Sequence, residues 1–448
     1  MRAVTRGCLA LALLVGSLLI AAPVCAQPMQ PQRVSKPYRS LFGNDDSRIP
    51  SLHALDLNFA LDSGIDDGMY ARNPVLPGGQ EADASGFQQI YIATTELAYL
   101  LRGRTVNSDL RGLASLPYYS LFPDDPLRLA YGGSGIVGLT SGRTTINASG
   151  NFLHSPYYSA ALDPSSGPGV GSGYLGRMSA LNPTNEGTAG AALAYQLGRR
   201  TSTTLGYSYY SMDFTRQERW SKSNSVNASL TRRFSKSVTV TAKYGYHTAD
   251  YQTTGFLSWS HGQDLTAEFA YGRTGRRSAS SSFRASVGYS LVNDFGREYG
   301  AWPFAVHYDH SVGTRWSIAA DYSRSVQYFS EVQQPVWANR GTLSATGYVT
   351  ARMRLIFDGH YWTGERVLGV GRAYNTYWTS ARFELGVTKW AAVTAGYSYY
   401  RYDYPPGYVL PEGMPNQLDR QRFQVGARFW VPLARAGRSG AARTPDNP

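Results

Sequence analysis

Cysteine is nearly absent: Cys8 and Cys25 are the only two in 448 residues. Both precede residue 27, so the rest of the chain has neither a disulfide framework nor thiolates for a metal. Long apolar runs are missing too. After Ala22 no stretch approaches 18 apolar residues, which excludes further helical membrane spans. Neither a G-x-S-x-G elbow nor an H-E-x-x-H pair occurs, so the commonest serine-hydrolase and zinc-protease signatures are lacking.

What remains is unevenly spread. Residues 1–26 have the order of a secretory signal: Arg2 and Arg6, the short apolar core Leu9–Ala22, then Val24-Cys25-Ala26 as a small-residue cleavage site. A lipid-attachment reading of Cys25 fits poorly with Pro23 and Val24 before it. The expected mature start is Gln27. Residues 27–50 are polar and without periodicity, as a flexible periplasmic leader would be.

Beyond residue 50 the dominant signal has a period of two. In Ser237–His247, Val238, Val240, Ala242, Tyr244 and Tyr246 alternate with Thr239, Thr241, Lys243, Gly245 and His247. Such alternation makes a strand with one apolar and one wet face. The apolar face runs from aliphatic residues to tyrosines, as a strand would in passing from hydrocarbon into headgroups. Leu205-Tyr207-Tyr209, Phe283-Ala285-Val287-Tyr289, Trp316-Ile318-Ala320-Tyr322 and Val393-Ala395-Tyr397-Tyr399 repeat the pattern. Half of each strand being wet reconciles a mean hydropathy of −0.32 with a membrane chain.

Eight short turns, mostly basic, are expected near 102–104, 141–143, 198–200, 234–237, 273–277, 312–315, 351–353 and 387–390. Most intervals hold two strands of about eleven residues, the length that crosses a bilayer at a tilt. Propeller blades have similar periods but four short strands each. With a first strand at about 52–63, a second at 88–101 and a last at 420–432, the count is eighteen. In the second strand Tyr91, Ala93, Leu97, Tyr99 and Leu101 would face outward, although Ile90 and Ile92 oppose that reading. The expected fold is all-β: a transmembrane antiparallel up-and-down barrel over 51–433, with a polar tail at 434–448. An even count puts both ends in the periplasm.

The formal charge of +12, or +10 without Arg2 and Arg6, invites a nucleic-acid reading. Much of that charge lies in the turns, among them Arg104, Arg143, Arg199, Arg200, Arg233, Lys236, Arg315 and Lys389, so it reads as a rim beside lipid phosphates, with no nucleic acid as partner.

Three local motifs are given bland readings. Gly171–Gly176 spells G-x-G-x-x-G inside the Pro/Gly/Ser-rich loop Ser155–Gly187, with no helix following, so it is loop composition. His307 and His310 would point to opposite faces of one strand near a periplasmic turn. His360 reads as lumen lining. Pro-Tyr-Tyr at 117–119 and 156–158 suits girdle tyrosines better than a sugar-stacking track.

The whole pattern resembles bacterial outer-membrane β-barrel proteins of porin-like type. Its carriers are the signal, the alternation, the Tyr-rich ends such as Leu205–Tyr210, the Arg-rich turns and the aromatic-ended last strand. Leu55–Leu57 through Asp66–Gly68, and the hairpin Leu139–Ser149, look like a poorly characterised Gram-negative family of large barrels. The resemblance implies a barrel integral to the outer membrane, with lipid and the barrel-assembly machinery as partners; no cofactor, metal or enzyme activity is expected, an outer-membrane enzyme ranking third among the readings. It names no solute. The wet faces place Asp56, Glu96, Asp109, Arg111, Lys243, Glu268, Arg284, Asp321, Asp358, Arg382, Glu384 and Arg428 at similar mid-height, with Arg428 meeting Asp56 where the barrel closes. The expected function is passive passage of small hydrophilic solutes or an exported glycan with weak ion selectivity; the alternative is a loop-plugged structural or interaction barrel.

Overall fold

The computed structural model describes residues 52–67, 88–119, 129–156, 183–215, 219–253, 256–274, 280–294, 296–313, 315–328, 335–366, 372–405 and 417–437. Nineteen strand segments follow one another: β1 (Leu52–Asp67), β2 (Gln88–Arg102), β3 (Val106–Tyr119), β4 (Ala130–Ser141), β5 (Thr144–Ser155), β6 (Thr184–Gly198) and β7 (Thr201–Phe214). Then come β8 (Arg219–Arg233), β9 (Val238–Thr253), β10 (Phe256–Thr274), β11 (Ser280–Asp294), β12 (Arg297–Ala301) and β13 (Phe304–Val312). The last are β14 (Trp316–Tyr328), β15 (Pro335–Thr350), β16 (Met353–Arg366), β17 (Arg372–Gly386), β18 (Ala391–Asp403) and β19 (Gln417–Gly437).

Each strand pairs antiparallel with the next, and β1 pairs with both β2 and β19, so the sheet closes on itself. The segments β12 and β13 are two halves of one strand. Both pair with β11, through Ser290↔Ala301 and Val287↔Phe304, with Trp302-Pro303 between them. Pro303 has no N–H to give the ladder. It still accepts one bond, from the Gly288 N–H at 2.9 Å. The barrel therefore has eighteen strands, as the sequence pattern predicts. Closure removes the edges that an open sheet would present, and leaves backbone groups paired inside the wall.

The short connections fall where the basic turns are expected. At the tightest, Gly142-Arg143 joins β4 to β5, and Gly142 takes φ +56°, a region glycine enters without steric penalty. The end strands run further than the pattern suggests. β1 continues to Asp67, and β19 to Gly437, four residues past the expected barrel end. The first 50 residues, the segment 157–182 that contains Gly171–Gly176, and the tail beyond 437 lie outside the described residues.

Alternation sorts the side chains as the period of two requires. Leu97, Leu110, Leu193, Leu205, Val226, Val240, Leu265, Val287, Leu343, Val393 and Val425 stand exposed on the outer surface. Such a band is what lipid tails would cover; in water it would be a very large apolar patch. Above it, tyrosines bridge to amides on the next strand. Tyr207 donates to Asn224 at 2.8 Å, Tyr322 to Asn339 at 3.2 Å, and Tyr397 to Gln421 at 3.2 Å. Ring in the apolar band and hydroxyl on an amide is the arrangement of an interfacial girdle. The ambiguity in β2 resolves cleanly: Ile90 and Ile92 are buried on the inner face, while Tyr91 and Leu97 are exposed on the outer.

Candidate functional site

The inner wall is the surface that could act on a solute, and several of its charges pair along or across strands. On β3, Arg111 donates from Nε and Nη2 to the two oxygens of Asp109, at 2.9 and 2.8 Å. Two residues apart on one strand, both side chains share a face. Lys243 on β9 reaches Glu268 on β10 at 2.5 Å. Arg284 lies across from Ala270 and His307, and Asp358 across from Ser344 and Ser380. Glu96 is buried and accepts a bond from Asn58 at 3.4 Å.

The densest group lies on β16, β17 and β19. Glu384, almost wholly buried, accepts from Arg354 Nε at 2.8 Å and Nη2 at 2.5 Å. Arg382 and Arg428 approach the same carboxylate, at 3.5 and 3.9 Å. A buried carboxylate with three guanidiniums around it has its charge compensated, which a lone buried ion could not achieve.

The closing seam differs from expectation in two ways. Arg428 does not meet Asp56; the closing register sets it opposite Ala60, and Asp56 opposite Pro432. A register shift between Leu55 and Asp56 follows, accommodating Pro432, and Arg435 then comes round to Asp56 at 3.2 Å. The seam is staggered, as closing a tilted sheet requires. The second difference is Arg420–Asp66, a bidentate pair across the same seam that the sequence reading did not include. Its Nε–Oδ1 contact is 2.6 Å, and both side chains are buried. Asp66 lies beyond the predicted end of the first strand, so its partner could not be counted.

The histidines divide by face. His307 sits between Asp309 and Asp321 on the wet face, and Asp321 also accepts from Thr342 at 3.1 Å. His310 points the other way, 2.8 Å from Ser281 and stacked on Tyr308. His247, on the wet face that alternation gives it, pairs with Asp264 of β10 at 3.2 Å. His360 packs on Trp378, ring centres 4.6 Å apart. Among the described residues no three His, Cys, Asp or Glu side chains converge to hold a metal ion.

The half of the wall toward the longer loops carries an apolar group that the sequence pattern did not announce. Met212 and Phe214 of β7 belong to one buried cluster with Val336 and Ala338 of β15, Trp362 of β16 and Tyr374 of β17. Tyr400, Tyr402 and Tyr404 on and just beyond β18, with Leu418 of β19, complete it. These residues continue the inner-facing positions of their strands, so the wet face turns apolar toward the longer loops.

No protein-family profile matches the chain, and no curated protein does. Solved structures do resemble it in shape. Pseudomonas aeruginosa OccK11 (OpdR) is 11% identical over 85% of this chain and 96% of that one, with a TM-score of 0.43. P. aeruginosa OpdQ is 10% identical over 86% and 98%, with a TM-score of 0.42. Acinetobacter baumannii OccAB4 is 8% identical over 87% and 100%, also at 0.42. Likeness at this level carries neither a family nor a solute. By its own geometry, with a closed eighteen-stranded wall, an apolar outer band under a tyrosine girdle and a charged inner face, the chain is a β-barrel of the membrane-spanning type.

Proposed function

We propose that the protein is a passive channel for small hydrophilic solutes, with weak ion selectivity. The observation that carries this reading is the paired inner wall: Asp109–Arg111, Lys243–Glu268, Arg354–Glu384 with Arg382 and Arg428, and Asp56–Arg435. A barrel of this strand number encloses more space than its own side chains fill. Opposite charges a few ångströms apart cancel at the distance of a passing ion, and salt screens the remainder within about 10 Å at 0.1 M. The basic excess of the sequence sits in the turns at the opposite rim from the loops, which is periplasmic in this reading, along with both chain ends. Membrane lipid and the assembly machinery are the partners this placement calls for.

Single-channel recording of the purified protein in a planar bilayer tests it. Discrete ohmic steps whose size falls when a small sugar or glycan fragment enters are expected. A folded barrel that never conducts would favour the loop-plugged, structural reading instead.

A further inference from the structure

We infer that the apolar cluster at the extracellular mouth is a gate that closes the channel by excluding water; this rests on the channel reading. The cluster gathers residues from two separated parts of the wall. Met212 and Phe214 come from β7, while the others come from β15 to β19, seven to eleven pairings away along the wall and as few as seven by the other way round. For an eighteen-stranded barrel that is close to the full width of the lumen, so one buried apolar group reaches from side to side. Apolar constrictions of this kind stop ions by dewetting, with no charged barrier needed.

The packing is specific. Tyr374 lies so close over Gly364 that a Cβ there would meet the ring. Tyr402 stands edge-on to both Tyr400 and Tyr404, with ring centres 5.8 and 5.5 Å apart. Arg219 caps Phe214 and Arg340 caps Trp362, each guanidinium under 6 Å from the ring centre, at 5.8 and 5.4 Å. Away from this cluster the inner face reaches water at places such as Lys243, whose side chain is 47% exposed. Apolar closure therefore sits over a polar, charged stretch of the inner wall.

The same cluster holds a reason to open. Tyr402 is wholly buried, yet its hydroxyl has no hydrogen-bond partner among the described residues. A buried hydroxyl without a partner forfeits its hydration, and parting the cluster restores it. Closure by apolar packing and opening by hydration of Tyr402 oppose each other, which makes the device two-state.

Bilayer recording of four proteins tests this: wild type, Phe214→Ala, Tyr402→Ala and Tyr402→Phe, each first shown to be folded by heat-modifiable migration in SDS. Wild type should switch between closed and open levels. The two alanine variants should raise the open fraction by about tenfold or more, the response to losing about 1.4 kcal/mol of closing contact. Tyr402→Phe should lower it, because the ring stays and the stranded hydroxyl goes. Equal open fractions in all four conducting proteins would overturn the gate and leave the channel reading standing. Silence in all four folded barrels would overturn the channel reading itself.

Discussion

Asp66 shows what single residues contribute to the seam. Its two oxygens are taken by Arg420 inside the wall, where neither side chain sees water. Truncating one partner of such a pair strands the other charge, at a cost of about 3–5 kcal/mol. Asp56–Arg435 closes the same two strands but is partly open to solvent, and exposed pairs are worth about 0–1 kcal/mol. Arg420→Ala should therefore lower the temperature at which the barrel loses its heat-modifiable mobility by many degrees, while Arg435→Ala should hardly move it. Equal shifts would contradict the burial difference. Neither pair was legible in the sequence. Asp66 lies past the point where β1's alternation fades, and Arg435 follows Pro432, whose missing N–H and accompanying register shift break the count.

Strands were the most legible level, because a period of two is written into every residue. The short turns among the described residues and the facing of Val240, Leu205, Tyr397 and Phe423 follow from alternation alone, while most of the turn expected at 273–277 lies outside the described residues. Less legible were places where a strand's end or continuity is set by something other than its pattern. Pro303 splits one strand into β12 and β13, which a run of alternating residues does not announce. The apolar end of the inner face was missed for a related reason. Met212, Phe214, Tyr400 and Tyr402 obey the inward parity, but their apolar character imitates an outward position. Facing has an energetic consequence at this scale. An arginine on the lipid face at mid-membrane costs roughly 2–4 kcal/mol, and one facing the lumen far less. Leu205→Arg and Val240→Arg should reduce the folded, heat-modifiable fraction recovered into lipid; Thr204→Arg, one residue from Leu205 and facing inward, should not. Thr241 is a less clean control, since its hydroxyl is 3.1 Å from that of Thr231. Equal damage on both faces would refute the register.

At the scale of the whole molecule, a sequence with formal charge +12 folds so that its inner wall is not correspondingly basic. Many of the described charges that face the lumen pair with a neighbour, as Lys243–Glu268 and Arg354–Glu384 do, and much of the basic excess lies in the turns. In the channel proposed above, a wall built this way would discriminate ions poorly, whereas an uncompensated basic lumen would concentrate anions strongly. The reversal potential under a salt gradient across a planar bilayer measures that difference directly, in wild type and, to hold the mouth open, in Phe214→Ala. The account predicts a reversal potential close to zero, with cation and anion carrying comparable current. A reversal potential near the anion's equilibrium value would contradict it.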